Sequence, residues 1–129
     1  MSTLQNILYV EDEPDIQAVA QVALEMVGGF TLKVCSSGQE ALETVKSFVP
    51  DLILLDVMMP GMDGPTTMRE LKKLPDLANI PMVFMTAKVQ PKEVSEYLAL
   101  GARGVIAKPF DPMKLADEVR AVWEHESNG

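Results

Sequence analysis

Only one cysteine and one histidine occur among the 129 residues. Cys35 therefore has no partner for an internal disulfide, which suits a reducing compartment. Placed at the end of an apolar run, it reads as a buried, inert thiol. His125 lies in the polar tail and takes no relay role. Positive charge is also scarce: 11 basic residues face 19 acidic ones, for a net charge of −8. That balance opposes direct binding to a nucleic-acid backbone or an anionic membrane surface. No apolar run approaches the ~20 residues that span a bilayer, and Met1 to Asn6 lacks the basic-then-apolar pattern of a secretion signal. A cytoplasmic protein with no membrane insertion is expected. Aromatic residues make up only 5% of the chain while methionines number nine, so flexible aliphatic side chains are expected to fill the core.

Hydrophobic residues are present in quantity, at 47%, enough for a single globular core in a chain of this length. One domain over 1–129 is expected, with a core of about 5–124 and a polar tail, 125–129, that frays. No low-complexity linker interrupts it. The stretch Asp51-Leu-Ile-Leu-Leu-Asp56 drives an apolar run into an aspartate, and Pro60-Gly61 and Asp63-Gly64 then mark a turn. Such a run reads as a strand buried on both faces. Further strands are expected at Ile7–Val10, Phe30–Cys35, Ile80–Met85 and Val105–Ala107. Helical spacing places Ile16, Val19, Ala20, Ala23 and Val27 on one face of a helix from Asp15 to Gly28. Ser36 or Ser37 caps a second helix carrying Ala41, Leu42, Val45 and Phe48. A third runs from Thr66 to Lys73. A fourth, about Pro91 to Leu100, turns Val94, Tyr97 and Leu98 inward, and Asp111-Pro112 opens a fifth that buries Leu115, Val119 and Val122.

Five strand–helix pairs in strict alternation imply a parallel sheet covered on both faces, with right-handed crossovers. A barrel needs eight such units, so the sheet is open. All strands then end at one edge, where open α/β sheets form their ligand crevice. That edge gathers Glu11, Asp12, Asp56, Thr86 and Lys108. Carboxylates so close repel one another, and a hard divalent cation relieves the repulsion. Magnesium takes oxygen ligands, often one or two carboxylates together with phosphate oxygens. Lys108 can pair with Asp56 and then with an incoming phosphate, Thr86 can donate to a phosphoryl oxygen, and Asp56 can act as a nucleophile that forms an acyl phosphate.

Four motifs carry a specific resemblance: Val10-Glu-Asp-Glu-Pro14, Leu55-Asp-Val-Met-Met-Pro-Gly-Met-Asp-Gly64, Met85-Thr-Ala87, and Gly101-Ala102 with Lys108-Pro-Phe110. In this order the chain resembles, from about Ile7 to Trp123, a single-domain, CheY-like receiver of the two-component response regulators. The resemblance implies a flavodoxin-like fold with strand order 2-1-3-4-5, an order inherited from the family. It implies that Asp56 accepts a phosphoryl group from a phosphohistidine on a histidine kinase or phosphotransfer protein. Magnesium, with manganese able to substitute, would be held by Asp12 and Asp56, by Glu11 largely through water, and by the backbone carbonyl of Met58. Thr86, Ala87 and Lys108 match the phosphoryl-binding and switch positions, and Lys108-Pro109 matches a cis peptide bond. The implied product is a phosphorylation-driven signalling switch, not a classical enzyme, read by a downstream protein on the fourth helix, fifth strand and fifth helix. A monomer, or a weak dimer formed on phosphorylation, is expected.

Val105 departs from the family, which often carries Tyr or Phe three residues before the lysine. Valine has no ring to swing and is stiff at χ1, so threonine–aromatic coupling in its usual form is not expected. Phosphorylation then remodels the loop after Thr86 or is read on another face. Met58 and Lys88 sit at positions that tune acyl-phosphate lifetime in the family, and Met58, Met59 and Met62 form a soft cluster beside the site. Two rivals fare worse: an aspartate phosphohydrolase of the haloacid dehalogenase type wants an acid where Met58 stands, and a flavin carrier would find its phosphate repelled by Glu11-Asp12-Glu13. A receiver used unphosphorylated, as a docking module, usually lacks part of the acid, threonine and lysine set. Since the chain stops just past the fifth helix, output through another protein, or service as a phosphate relay or sink, is the expectation.

Overall fold

The computed structural model describes residues 3–125; of the tail 125–129 expected to fray, 126–129 lie outside the described residues, while His125 is the last residue of the final helix. Five strands, β1 (Asn6–Val10), β2 (Thr31–Cys35), β3 (Leu52–Asp56), β4 (Met82–Thr86) and β5 (Gly104–Ala107), form one parallel sheet in the order β2-β1-β3-β4-β5. Helices α1 (Pro14–Gln21), α2 (Gly38–Thr44), α3 (Gly64–Lys72) and α4 (Pro91–Ala99) supply the four crossovers, and α5 (Leu115–His125) follows the last strand. The flavodoxin-like fold and order are those expected.

All five positions of β3 are buried, as are those of β4, because helices cover both faces of the central sheet. Side chains alternate between two cores. One contains Ile7, Tyr9, Leu52, Leu54, Val83, Met85 and Ile106 and packs toward α1 and α5; the other contains Leu8, Val10, Ile53, Leu55, Met82 and Phe84 beneath α2 and α3. Edge strand β2 exposes Lys33, as its charge requires.

Local chemistry sets the helix ends. Ser37, of the two candidate serines, caps α2 by accepting from the Glu40 N–H at 3.0 Å. Asp63 caps α3 by accepting from Thr66 N–H at 2.8 Å, with Pro65 in the first turn, so α3 starts two residues before the expected Thr66. Helix α5 begins at Leu115, later than Asp111-Pro112 implied; the intervening turn closes when Lys114 N–H and Leu115 N–H both donate to the Asp111 carbonyl.

Two helices differ in facing. After Gln21 the first helix widens into a π-helical segment, Val22–Val27, in which Gly28 N–H reaches back five residues to the Ala23 carbonyl. The wider turn rotates the buried stripe within that segment: Leu24 is buried, whereas Val27, expected inside, is 45% exposed; Val19, also expected inside, lies ahead of the segment in α1 and is 42% exposed. In α4 no residue is fully buried. Tyr97 packs edge-on against Phe84, with ring centroids 5.3 Å apart, but Leu98 is 45% exposed instead of inward.

The loop after β3 doubles back so tightly that a Cβ on Gly64 would lie 2.5 Å from the Asp56 carbonyl oxygen. Gly64 N–H donates to Val57 at 2.9 Å in the same turn. Gly64→Ala is expected to destabilise the protein by about 2 kcal/mol, the usual scale of overpacking, in urea titration. An unchanged midpoint would show that the turn relaxes without cost.

Candidate functional site

Each chemistry-bearing residue stands on the last position of a strand or just beyond it: Glu11 and Asp12 follow β1, Asp56 ends β3, Thr86 ends β4, and Lys108 follows β5. Parallel pairing brings these ends to one edge. Glu11 is fully buried and Asp56 is 4% exposed, while Asp12 is half-buried. One carboxylate oxygen from each lies within 4.8 Å of the others.

A single ammonium bridges two of these acids. Lys108 Nζ donates to Glu11 Oε1 and to Asp56 Oδ1, both at 3.0 Å. Burial alone would lower the lysine's pKa, but its hydrogen bonds to Glu11 and Asp56 outweigh it and the net shift is upward. Lys108 therefore stays charged. Its own backbone is fixed by Lys108 N–H donating to the Thr86 carbonyl at 2.9 Å, and the Lys108–Pro109 peptide is cis, as the resemblance implied.

Burial raises the Asp56 pKa to about 6; Lys108 pulls it down and the neighbouring Glu11 charge pushes it up. Three carboxylates against one ammonium leave negative charge uncompensated. An all-oxygen donor set of this kind fits a hard divalent cation.

The other expected residues fall around this centre. Thr86 is buried, and its Oγ1 accepts from Lys88 N–H at 3.0 Å, which leaves the hydroxyl proton for another acceptor. Ala87 and Lys88, at the mouth of the β4–α4 loop, are exposed. Met58 follows β3 with its side chain exposed, while Met59 is buried. Val105 is half-buried on β5, opposite Phe84.

One participant went unnoticed in the sequence. Tyr9, fully buried in β1, donates its hydroxyl to Glu11 Oε1 at 3.0 Å. The available signal was spacing: in an extended segment residues two apart point the same way, so a tyrosine two positions before a buried acid shares its side.

A family model described as the response regulator receiver domain matches residues 7–120. The chain belongs to that family. It is 37% identical over 125 residues to the phosphate regulon transcriptional regulatory protein PhoB of Pseudomonas aeruginosa, covering 97% of this chain and 54% of that protein. With the DNA-binding response regulator MtrA of Mycolicibacterium smegmatis it shares 38% identity over 117 residues, covering 91% and 50%. The receiver thus spans about half the length of these curated relatives. Among solved structures, the chemotaxis response regulator CheY4 of Vibrio cholerae matches with a TM-score of 0.85 at 28% identity, covering 93% of this chain and 99% of that one. Receivers are signalling proteins of two-component systems, not classical enzymes. Among the described residues of this one, no helix is long and apolar enough to cross a membrane.

The raised Asp56 pKa has a consequence for stability in the metal-free protein. An unfolded aspartate titrates near ~3.9, so between pH ~4 and ~6 the folded state binds more protons than the unfolded one. The contribution of Asp56 to stability is then greatest below ~4 and falls as pH rises through that window, by on the order of 2 kcal/mol. Asp56→Asn should remove this slope and be the more stable protein at pH 7, measured by urea denaturation in EDTA. Identical slopes for wild type and variant would mean that Asp56 is not the group responsible.

Proposed function

We propose that this receiver is a switch activated by phosphorylation of Asp56, with a histidine kinase or histidine phosphotransfer protein as phosphodonor. The observation that carries the reading is Lys108 Nζ held at 3.0 Å from both Asp56 and Glu11, within a cluster of three converging carboxylates. A structural ion pair would need only one partner acid. Here a second and a third crowd the same point, a costly arrangement unless a cation and a phosphoryl group use it.

Glu11, Asp12, Asp56 and the backbone carbonyl of Met58 would hold Mg2+, or Mn2+ in its place. When bound, the metal supplies positive charge beside the transferring phosphoryl oxygens. A carboxylate oxygen of Asp56 attacks phosphorus, the O–P bond forms as the N–P bond of the phosphohistidine breaks, and the electron pair returns to the imidazole nitrogen, which takes up a proton. Lys108, already poised over Asp56, neutralises charge on the arriving group. Thr86 has a hydroxyl proton to offer a phosphoryl oxygen. Water later hydrolyses the acyl phosphate and restores the carboxylate.

The incoming charge shifts a conformational equilibrium instead of creating a new state. Output on α4, β5 and α5 is supported by the loose packing of α4 and by exposed Val89, Leu98 and Leu100. Val105 offers no aromatic ring to couple Thr86 to that face, so the β4–α4 loop itself, where Thr86 caps Lys88 N–H, is the element that changes. The net charge of −8 argues for a protein reader and against direct contact of this domain with DNA.

Incubation with Mg2+ and acetyl phosphate should add one labile phosphoryl group to wild type and none to Asp56→Asn by intact mass; equal labelling of the two would sink the assignment. Lys108→Ala should retain metal binding by calorimetry yet lose the coupling between modification and partner binding. Wild-type partner affinity in the phosphorylated variant would contradict that role.

A further inference from the structure

Glu11 is the most deeply buried acid of the site, and its oxygens are shared among three donors: Tyr9 Oη and Lys108 Nζ on Oε1, both at 3.0 Å, and Glu13 N–H on Oε2 at 3.3 Å. The two donors on Oε1 differ mechanically. Lys108 reaches it on a flexible four-carbon stem and also serves Asp56. Tyr9 cannot follow any movement, because its ring is fully buried in the core cluster that includes Ile7, Leu54, Met85 and Ile106. Burial also raises the phenol's pKa, with Glu11's charge adding to it, so the hydroxyl keeps its proton and donates.

We propose that Tyr9 is a positioning residue for phosphoryl transfer: its hydroxyl holds Glu11 Oε1 when Lys108 leaves that oxygen for the phosphoryl group. The proposal rests on the reading of Asp56 as the phosphoryl acceptor. Without the phenol, departure of Lys108 would leave Glu11 Oε1 with no protein donor, a costly state for a buried charged group. Lys108 would then be retained at Glu11 and withheld from the reaction. With the phenol, the lysine exchanges one anionic partner for another while the acid stays in place.

The test uses acetyl phosphate at saturating Mg2+, with labelling followed by intact mass. Tyr9→Phe keeps the ring and removes only the donor, and should slow labelling about ten-fold, the scale of one hydrogen bond to a charged group. Because Tyr9 acts through the lysine, the same substitution in a Lys108→Ala background should change the rate less than about two-fold. Unaltered labelling by Tyr9→Phe, or equal slowing in both backgrounds, would overturn the proposal; a merely structural tyrosine would lower the melting temperature and leave the rate ratio at one. Should Tyr9→Phe alone not fold, Tyr9→Phe with Glu11→Gln removes the buried charge that needs the donor. This double variant should label as fast as Glu11→Gln alone, and slower labelling would count against Tyr9. Asp56→Asn serves as the control: labelling at the wild-type rate would remove the underlying reading, whereas an unlabelled control with unaffected Tyr9→Phe removes only this inference.

Discussion

Lys108 Nζ lies 3.0 Å from two carboxylates, Glu11 just beyond β1 and Asp56 at the end of β3, and that shared ammonium is the constraint around which the site is built. Taking either acid out of water without a partner would cost several kcal/mol. Both must therefore be brought to the lysine by elements that do not yield, and the parallel sheet is such a frame. Its strands all end at one edge, so residues far apart in sequence meet there without any loop having to find its way. The third acid, Asp12, is half-buried and makes the cluster more negative than one lysine can balance.

The frame is stiff where the site needs it. β3 is buried along its whole length, and Asp56 is its last residue, so the acid is carried on the most enclosed strand of the sheet together with β4. Gly64 lets the following loop fold back against the Asp56 carbonyl, a passage too narrow for any side chain. By contrast the neighbouring α4 buries no residue completely and presents Leu98 and Leu100 to solvent. Tight packing under the acids and loose packing beside Thr86 give the molecule one region that keeps its geometry and another with room to change.

Strand positions and most helices followed from local pattern: apolar runs, serine and aspartate caps, and Pro or Gly at the ends. Departures have specific causes. Val27 fits a helical stripe at the ordinary spacing, but the π-helical segment Val22–Val27 turns the face and buries Leu24 instead. Leu98 matched an inward position that α4 does not fill: that helix sets Tyr97 edge-on against Phe84 and buries no residue completely. Side-chain accessibility of this kind depends on how closely an element settles on its neighbours, which periodicity does not encode.

From the order of residues alone come the alternation of strands and helices, the acids, threonine and lysine at strand ends, and hence their gathering at one edge; these rest on interactions between near neighbours in the chain. Tertiary structure decided who pairs with whom. Lys108 was expected on Asp56, yet it also bonds Glu11, 97 positions away, and Tyr9, which looked like one more strand residue, completes that acid's partners. Such choices are made only when water is excluded and every buried polar atom must find a donor or acceptor within reach, a condition set by the packed molecule as a whole.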